Sequence, residues 1–167
     1  MAPERFRDEE LLAPQRLLER HGAAVTVVST RGGAATGMLG ARIAVAATVR
    51  GAREADHDAL AIAGGSGAPT HLWDDAALRA LVRAFHRAGK PVAAICLSGP
   101  VLARAGVLVG RRATVYPAER AILELRRGGA QYVAEPVVED GNVLTASGPE
   151  AAEAFGAALL QLVKPIP

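Results

Sequence analysis

The 167-residue chain is half apolar and only 4% aromatic, carries a formal net charge of +2 and contains one cysteine. A single domain over residues 1–167 with an Ala, Val, Leu and Ile core is the expectation at this length. Arginines that are spread out and not interleaved with aromatics argue against nucleic-acid binding; one cysteine makes no internal disulfide and fits a reducing cytoplasm; no apolar run reaches membrane-spanning length or resembles a signal peptide.

Residues 8–21 read as a helix, with Leu11, Leu12, Leu17 and Leu18 near one face, Gly22 as its stop, and Pro14 expected to break or kink it early. Residues 24–30 (AVTVVST) are β-rich and read as a strand, followed by a turn at Gly32 and Gly33. Residues 38–45 form a small hairpin or a pair of edge strands. The unbroken apolar run 59–63 is typical of a parallel strand buried on both faces, and Gly64-Gly65-Ser66-Gly67 follows it. Asp74 is the expected N-cap of a helix over residues 75–87, ended by Gly89.

Pro91 then opens the run Val92-Ala93-Ala94-Ile95-Cys96, with Leu97-Ser98-Gly99-Pro100 and a helix-like segment behind it. That order reads as strand, tight turn, helix, and it places Cys96 at the turn. Unpaired N–H groups at the start of the next helix favour an anion there, the logic of a nucleophile elbow with sulfur in place of oxygen. A buried cysteine ending a core strand is the other reading. Beyond it come a short strand at 113–116, a helix at 118–127, strands at 132–133, 137–138 and 143–145 with a hairpin turn at 139–142, and a last helix from Pro149 to about Leu162. Strands alternating with helices predict an α/β fold with a mainly parallel sheet.

Gly64 and Gly65 stand at the carboxyl end of a buried strand, where open α/β sheets bind ligands, and glycine pairs there turn backbone N–H groups toward an oxyanion. The loop lacks the spacing of a dinucleotide or phosphate-binding fingerprint, and no His or Cys cluster points to a metal, so neither cofactor nor metal is expected. Of four histidines, only His71 stands where it could reach the elbow.

These residues resemble the ThiJ/PfpI superfamily, which includes the parkinsonism-associated protein deglycase and the so-called intracellular proteases. Phe6-Arg7-Asp8-Glu9-Glu10-Leu11 with Pro14 is similar to the family's first helix, Asp58-Ala59-Leu60 through Gly64-Gly65 to its strand and glycine loop, and Lys90-Pro91-Val92-Ala93-Ala94-Ile95-Cys96 to its elbow. Ala105-Gly106-Val107-Leu108, Gly110-Arg111-Arg112, Thr114, Asp140-Gly141-Asn142, Thr145 and Gly148-Pro149 continue the pattern. The resemblance implies a flavodoxin-like three-layer α/β sandwich, a homodimer, Cys96 as nucleophile, and Glu10 as a protonated carboxylic acid bonded to the sulfur. It also implies backbone N–H groups of Gly65 and Leu97 as the oxyanion site.

The chain departs from the family at several positions. Leu97 replaces the His that proteases and class III glyoxalases carry after the cysteine. The glutamate of protease-like members falls on Thr70 or His71, and the deglycase-like histidine on about Val115. Peptidase activity is therefore not expected, since leucine accepts no proton. The family's first strand precedes the Phe6 segment, where this chain has five residues including Pro3, so the sheet is expected to be one strand short or the gene start to lie upstream. The functional expectation is a cysteine-dependent enzyme acting on small carbonyl or acyl compounds, of glyoxalase, deglycase or hydrolase type, with a low-pKa Cys96. The alternative is a stress-response or redox-sensing protein that works through oxidation of Cys96.

Overall fold

The computed structural model describes residues 1–163. Its first elements are β1 (Glu4–Phe6), α1 (Asp8–Arg20), β2 (Val28–Ser29), β3 (Gly33–Gly37), β4 (Arg42–Val45) and β5 (Ala47–Thr48). Then come β6 (Leu60–Ile62), α2 (Ala68–His71), α3 (Ala76–Arg87), β7 (Val92–Ile95) and α4 (Gly99–Ala105). The chain closes with β8 (Arg112–Ala113), α5 (Glu119–Arg127), β9 (Gln131–Tyr132), β10 (Val137–Asp140), β11 (Val143–Ala146) and α6 (Ala152–Val163).

The main sheet has the order β10-β11-β7-β6; β7 pairs in parallel with both β6 and β11, and β10 is an antiparallel edge. Because side chains alternate along a strand, β7 feeds two cores. Val92 and Ala94 point into the one built with α3, α4 and α5; Ala93 and Ile95 point into the one built with β11 and α6. Helices thus cover both faces, giving the flavodoxin-like sandwich.

Several local expectations change in the folded chain. Pro14 does not break α1, which runs unbroken from Asp8 to Arg20. Pro14 is buried against α6, where a Cβ on Gly156 would lie 2.9 Å from its Cα, so helix packing holds the proline in place. The N-cap of α3 is Asp75, whose carboxylate accepts from Leu78 N at 2.7 Å. Asp74 pairs with Arg104 instead. Residues 38–45 contribute the turn and second strand of the antiparallel β3–β4 hairpin. Residues 1–5 do not form a central strand. β1 is three residues long and pairs with β3 in a side sheet of order β1-β3-β4, leaving the main sheet with four strands. Of the β-rich 24–30 stretch, only Val28–Ser29 pairs as a strand, with β5.

Candidate active site

The elbow forms as the residue order requires. Ile95 is extended, Cys96 is left-handed at φ 60°, and a short 3-10 turn over Cys96–Ser98 leads into α4. A non-glycine residue held there stores about 1–3 kcal/mol of strain, so the surroundings must fix it. Ser98 Oγ donates to Ala63 O at 2.8 Å, and Trp73 Nε1 donates to Leu97 O at 2.6 Å. Trp73 is itself buried, with the Arg104 and Arg120 guanidinium groups 5.2 and 4.9 Å from its ring centroid.

The glycine loop closes over the elbow. A Cβ on Gly64 would lie 2.6 Å from Ile95 O, 2.7 Å from Glu10 Oε2 and 2.8 Å from Cys96 Cβ, so three groups of the site converge on a position only glycine fits. Gly65 has φ +106° and packs against the Arg5 carbonyl and the Arg7 amide. The Gly64 N–H is already used: it donates to Glu10 Oε2 at 2.9 Å. The donors at the sulfur are the N–H groups of Gly65 and Leu97.

Glu10 lies in the first turn of α1, only 2% exposed, with its Oε1 buried and without a hydrogen-bond partner. Burial pushes its carboxyl up to about 7; contact with the thiol, the Gly64 N–H and the Arg7 guanidinium pull the other way. Burial also pushes the Cys96 thiol up to about 12, and the charge of Glu10 adds to the rise; the two backbone N–H groups oppose it. The expected low-pKa thiol is thereby corrected. The elbow's donors are present, but desolvation outweighs them, because Cys96 is 5% exposed and faces the Glu10 carboxyl rather than a cation. At neutral pH the carboxyl, not the sulfur, is the group poised to change its proton.

A cavity of about 760 Å³ opens above this pair, and its wall includes Arg7, Met38, Thr114, Tyr116 and Glu150. The Thr114 hydroxyl is buried and unpartnered. His71 is placed on α2 and does not line this cavity. Arg7 and Thr114 enter the sequence reading only as part of the family pattern, and neither they nor Tyr116 are named there as site residues. Arg7 carried a signal in its position three residues before Glu10, and Thr114 one in being a polar residue on an apolar strand. Tyr116 carried none. Among the described residues, no group of three or more His, Cys, Asp or Glu could hold a metal ion, and no helix is long and apolar enough to cross a membrane.

A three-layer α/β sandwich with a strained cysteine at the strand-to-helix turn and a buried glutamic acid beside it defines a recognisable class. The chain belongs to the DJ-1/PfpI family, whose sequence model matches residues 1–162. It is 47% identical over 164 residues to an uncharacterized protein of Methanocaldococcus jannaschii, covering 98% of this chain and 80% of that one. It is 31% identical to a deglycase of Pyrococcus horikoshii, covering 95% and 94%. The crystal structure of a ThiJ/PfpI domain protein from Brachyspira murdochii superposes with a TM-score of 0.92 at 31% identity, covering 97% of this chain and 92% of the other.

Proposed function

We propose that the chain is a cysteine-dependent enzyme acting on small carbonyl compounds, of the deglycase kind. The observation that carries the reading is the convergence of Cys96 Sγ, the Glu10 carboxyl and the Gly65 and Leu97 N–H groups under one open cavity. The deglycase of P. horikoshii supports it.

In this reading the thiol starts protonated. As Sγ attacks the carbonyl carbon, its proton passes to the Glu10 carboxylate. The S–C bond forms, the carbonyl π bond breaks, and its electron pair moves onto oxygen, where the Gly65 and Leu97 N–H groups receive it. Glu10 then returns the proton to that oxygen, which gives a neutral hemithioacetal on Cys96. The base that Leu97 cannot supply is thus the ionised fraction of Glu10, available because its pKa of about 7 lies near working pH. Arg7 and the free Thr114 hydroxyl supply polar contacts for the rest of the substrate.

The test is turnover of methylglyoxal, of glycated amino acids and of generic esters by wild type and Cys96→Ser. Carbonyl turnover lost in Cys96→Ser is the expected result. Equal turnover by the two proteins, or none by either, overturns the reading.

A further inference from the structure

The wall of the cavity above Cys96 carries four charged side chains, and three of them are already engaged. Arg7 is held by Glu9 through two hydrogen bonds, Nε to Oε2 at 2.8 Å and Nη2 to Oε1 at 3.0 Å. Glu135 is paired with Arg112. Glu10 is buried against the Cys96 sulfur, with the Gly64 N–H on its Oε2.

Glu150 differs from these. It is exposed in the short 3-10 turn Pro149–Ala151 ahead of α6, and among the described residues its carboxylate has neither an ion-pair nor a hydrogen-bond partner. No arginine offsets it. Arg7 and Arg112 are taken by Glu9 and Glu135, and Arg126, 5.9 Å from the Tyr132 ring centroid, is not part of the wall. The uncompensated charge lining the cavity is therefore negative.

Two further features of the same wall suit a cation. The Tyr116 ring is exposed and rests against Gly148, where a Cβ would lie 3.2 Å from Tyr116 Cδ2. Gly148 is two residues from Glu150, so an aromatic ring and a free carboxylate share one rim, a pairing that holds protonated and quaternary amines. Thr114, only 1% exposed, adds a hydroxyl that has no hydrogen-bond partner and can accept from an N–H.

We propose that the site selects carbonyl compounds carrying a positively charged nitrogen, and that Glu150 is the residue that sets this preference. Oxo acids and phosphorylated carbonyls carry the wrong charge for this wall. The proposal rests on the reading of Cys96 as the group that adds to a carbonyl, and assigns the charge of the substrate. Glu150 meets the cationic end and not the reacting carbon, so it governs binding and not the bond-making step. One carboxylate at a partly solvated rim enriches a cation by roughly threefold to tenfold.

Two measurements on wild type, Glu150→Gln and Glu150→Lys test it and separate it from the carbonyl reading. In the first, Cys96, the chain's one cysteine, is modified by trimethylammonium-, methyl- and sulfonate-bearing methanethiosulfonates. Each forms a disulfide with the sulfur and releases methanesulfinate and a proton. The ratio of cationic to anionic rate should fall by about threefold to tenfold in Glu150→Gln, fall further in Glu150→Lys, and shrink in wild type at high salt. In the second, hemithioacetal formation is read as protection of Cys96 from the methyl reagent. Betaine aldehyde should protect wild type better than its uncharged isostere tert-butylacetaldehyde, and that advantage should fall by a similar factor in Glu150→Gln. A rate ratio that is the same in all three proteins, or that rises in Glu150→Gln, overturns the proposal and leaves the chemistry of Cys96 standing. Charge-dependent modification with protection by neither aldehyde overturns the carbonyl reading alone. Failure of the methyl reagent to modify Cys96 overturns both.

Discussion

Two strands side by side in the main sheet start from the same kind of sequence and reach different states. β7 and the run 59–63 are both short, unbroken apolar segments that precede a glycine-containing loop. β7 lies between β6 and β11, and each of its residues is fully buried. In the 59–63 run, Ile62 and Ala63 are buried at the site end, whereas Ala61 is exposed and Leu60 half-buried. The difference teaches that burial on both faces comes from having a neighbour on both edges, not from apolar sequence alone. The site stands at the carboxyl end of the strand that is paired on both sides.

The largest way to probe the satisfied side is Cys96→Ser. Carbonyl turnover should fall by about a thousandfold while the melting temperature stays close to wild type, because the two side chains differ by one atom. A variant that keeps more than a tenth of wild-type turnover breaks the assignment of the sulfur.

Paired truncations sharpen the contrast directly. Ile95→Ala should cost about 2–5 kcal/mol by urea unfolding, since the side chain is fully buried. Leu60→Ala should cost about 1 kcal/mol, because its side chain is already partly in water. Equal losses would show that the edge is as well packed as the centre.

Gly65→Ala tests the loop over the elbow. A Cβ there meets the Arg5 carbonyl and the Arg7 amide at a φ of +106°, so the loop must move. A loss of about 3 kcal/mol is expected, together with a change in Cys96 alkylation rate.

Glu10→Gln should cut turnover by about tenfold to a hundredfold and remove the rise in activity through pH 7. The same carboxyl has a stability signature. Its pKa rises from 4.5 to about 7 on folding, so the folded chain holds the proton more tightly. The stabilisation is complete below pH 4.5 and is lost as pH climbs through 7, on the order of 3 kcal/mol in all. Glu10→Gln, neutral throughout, should flatten that slope in a pH series of urea midpoints. A wild-type midpoint that instead rises between pH 5 and 7 contradicts the raised pKa.

The smallest effect is expected from Trp73→Phe. It leaves the Leu97 carbonyl without its donor, at a cost of about 1 kcal/mol. Because the Leu97 N–H faces the sulfur, a small drop in kcat with KM unchanged should accompany the loss.

By itself the sequence determined the elbow. A β-rich run, one cysteine, small residues and a Gly-Pro pair dictate strand, turn and helix through local conformational preference, and Cys96 is found at that turn with positive φ. Local chemistry likewise made the 139–142 turn and the α3 and α5 boundaries legible to within a residue or two. Tertiary structure alone decided the rest. Pro14 stays helical because α6 packs against it, and α3 is capped by Asp75, whose carboxylate accepts from Leu78 N, while Asp74 pairs with Arg104. Among the described residues, 24–26 carry no strand assignment, and Val27 O accepts a single bond from Ala46 N at 3.0 Å. The thiol pKa also belongs there: the helix-start donors could be read from residue order, but desolvation and the facing Glu10 depend on a long-range contact between α1 and the elbow. Desolvation is a property of the packed interior, and no local window of sequence contains it.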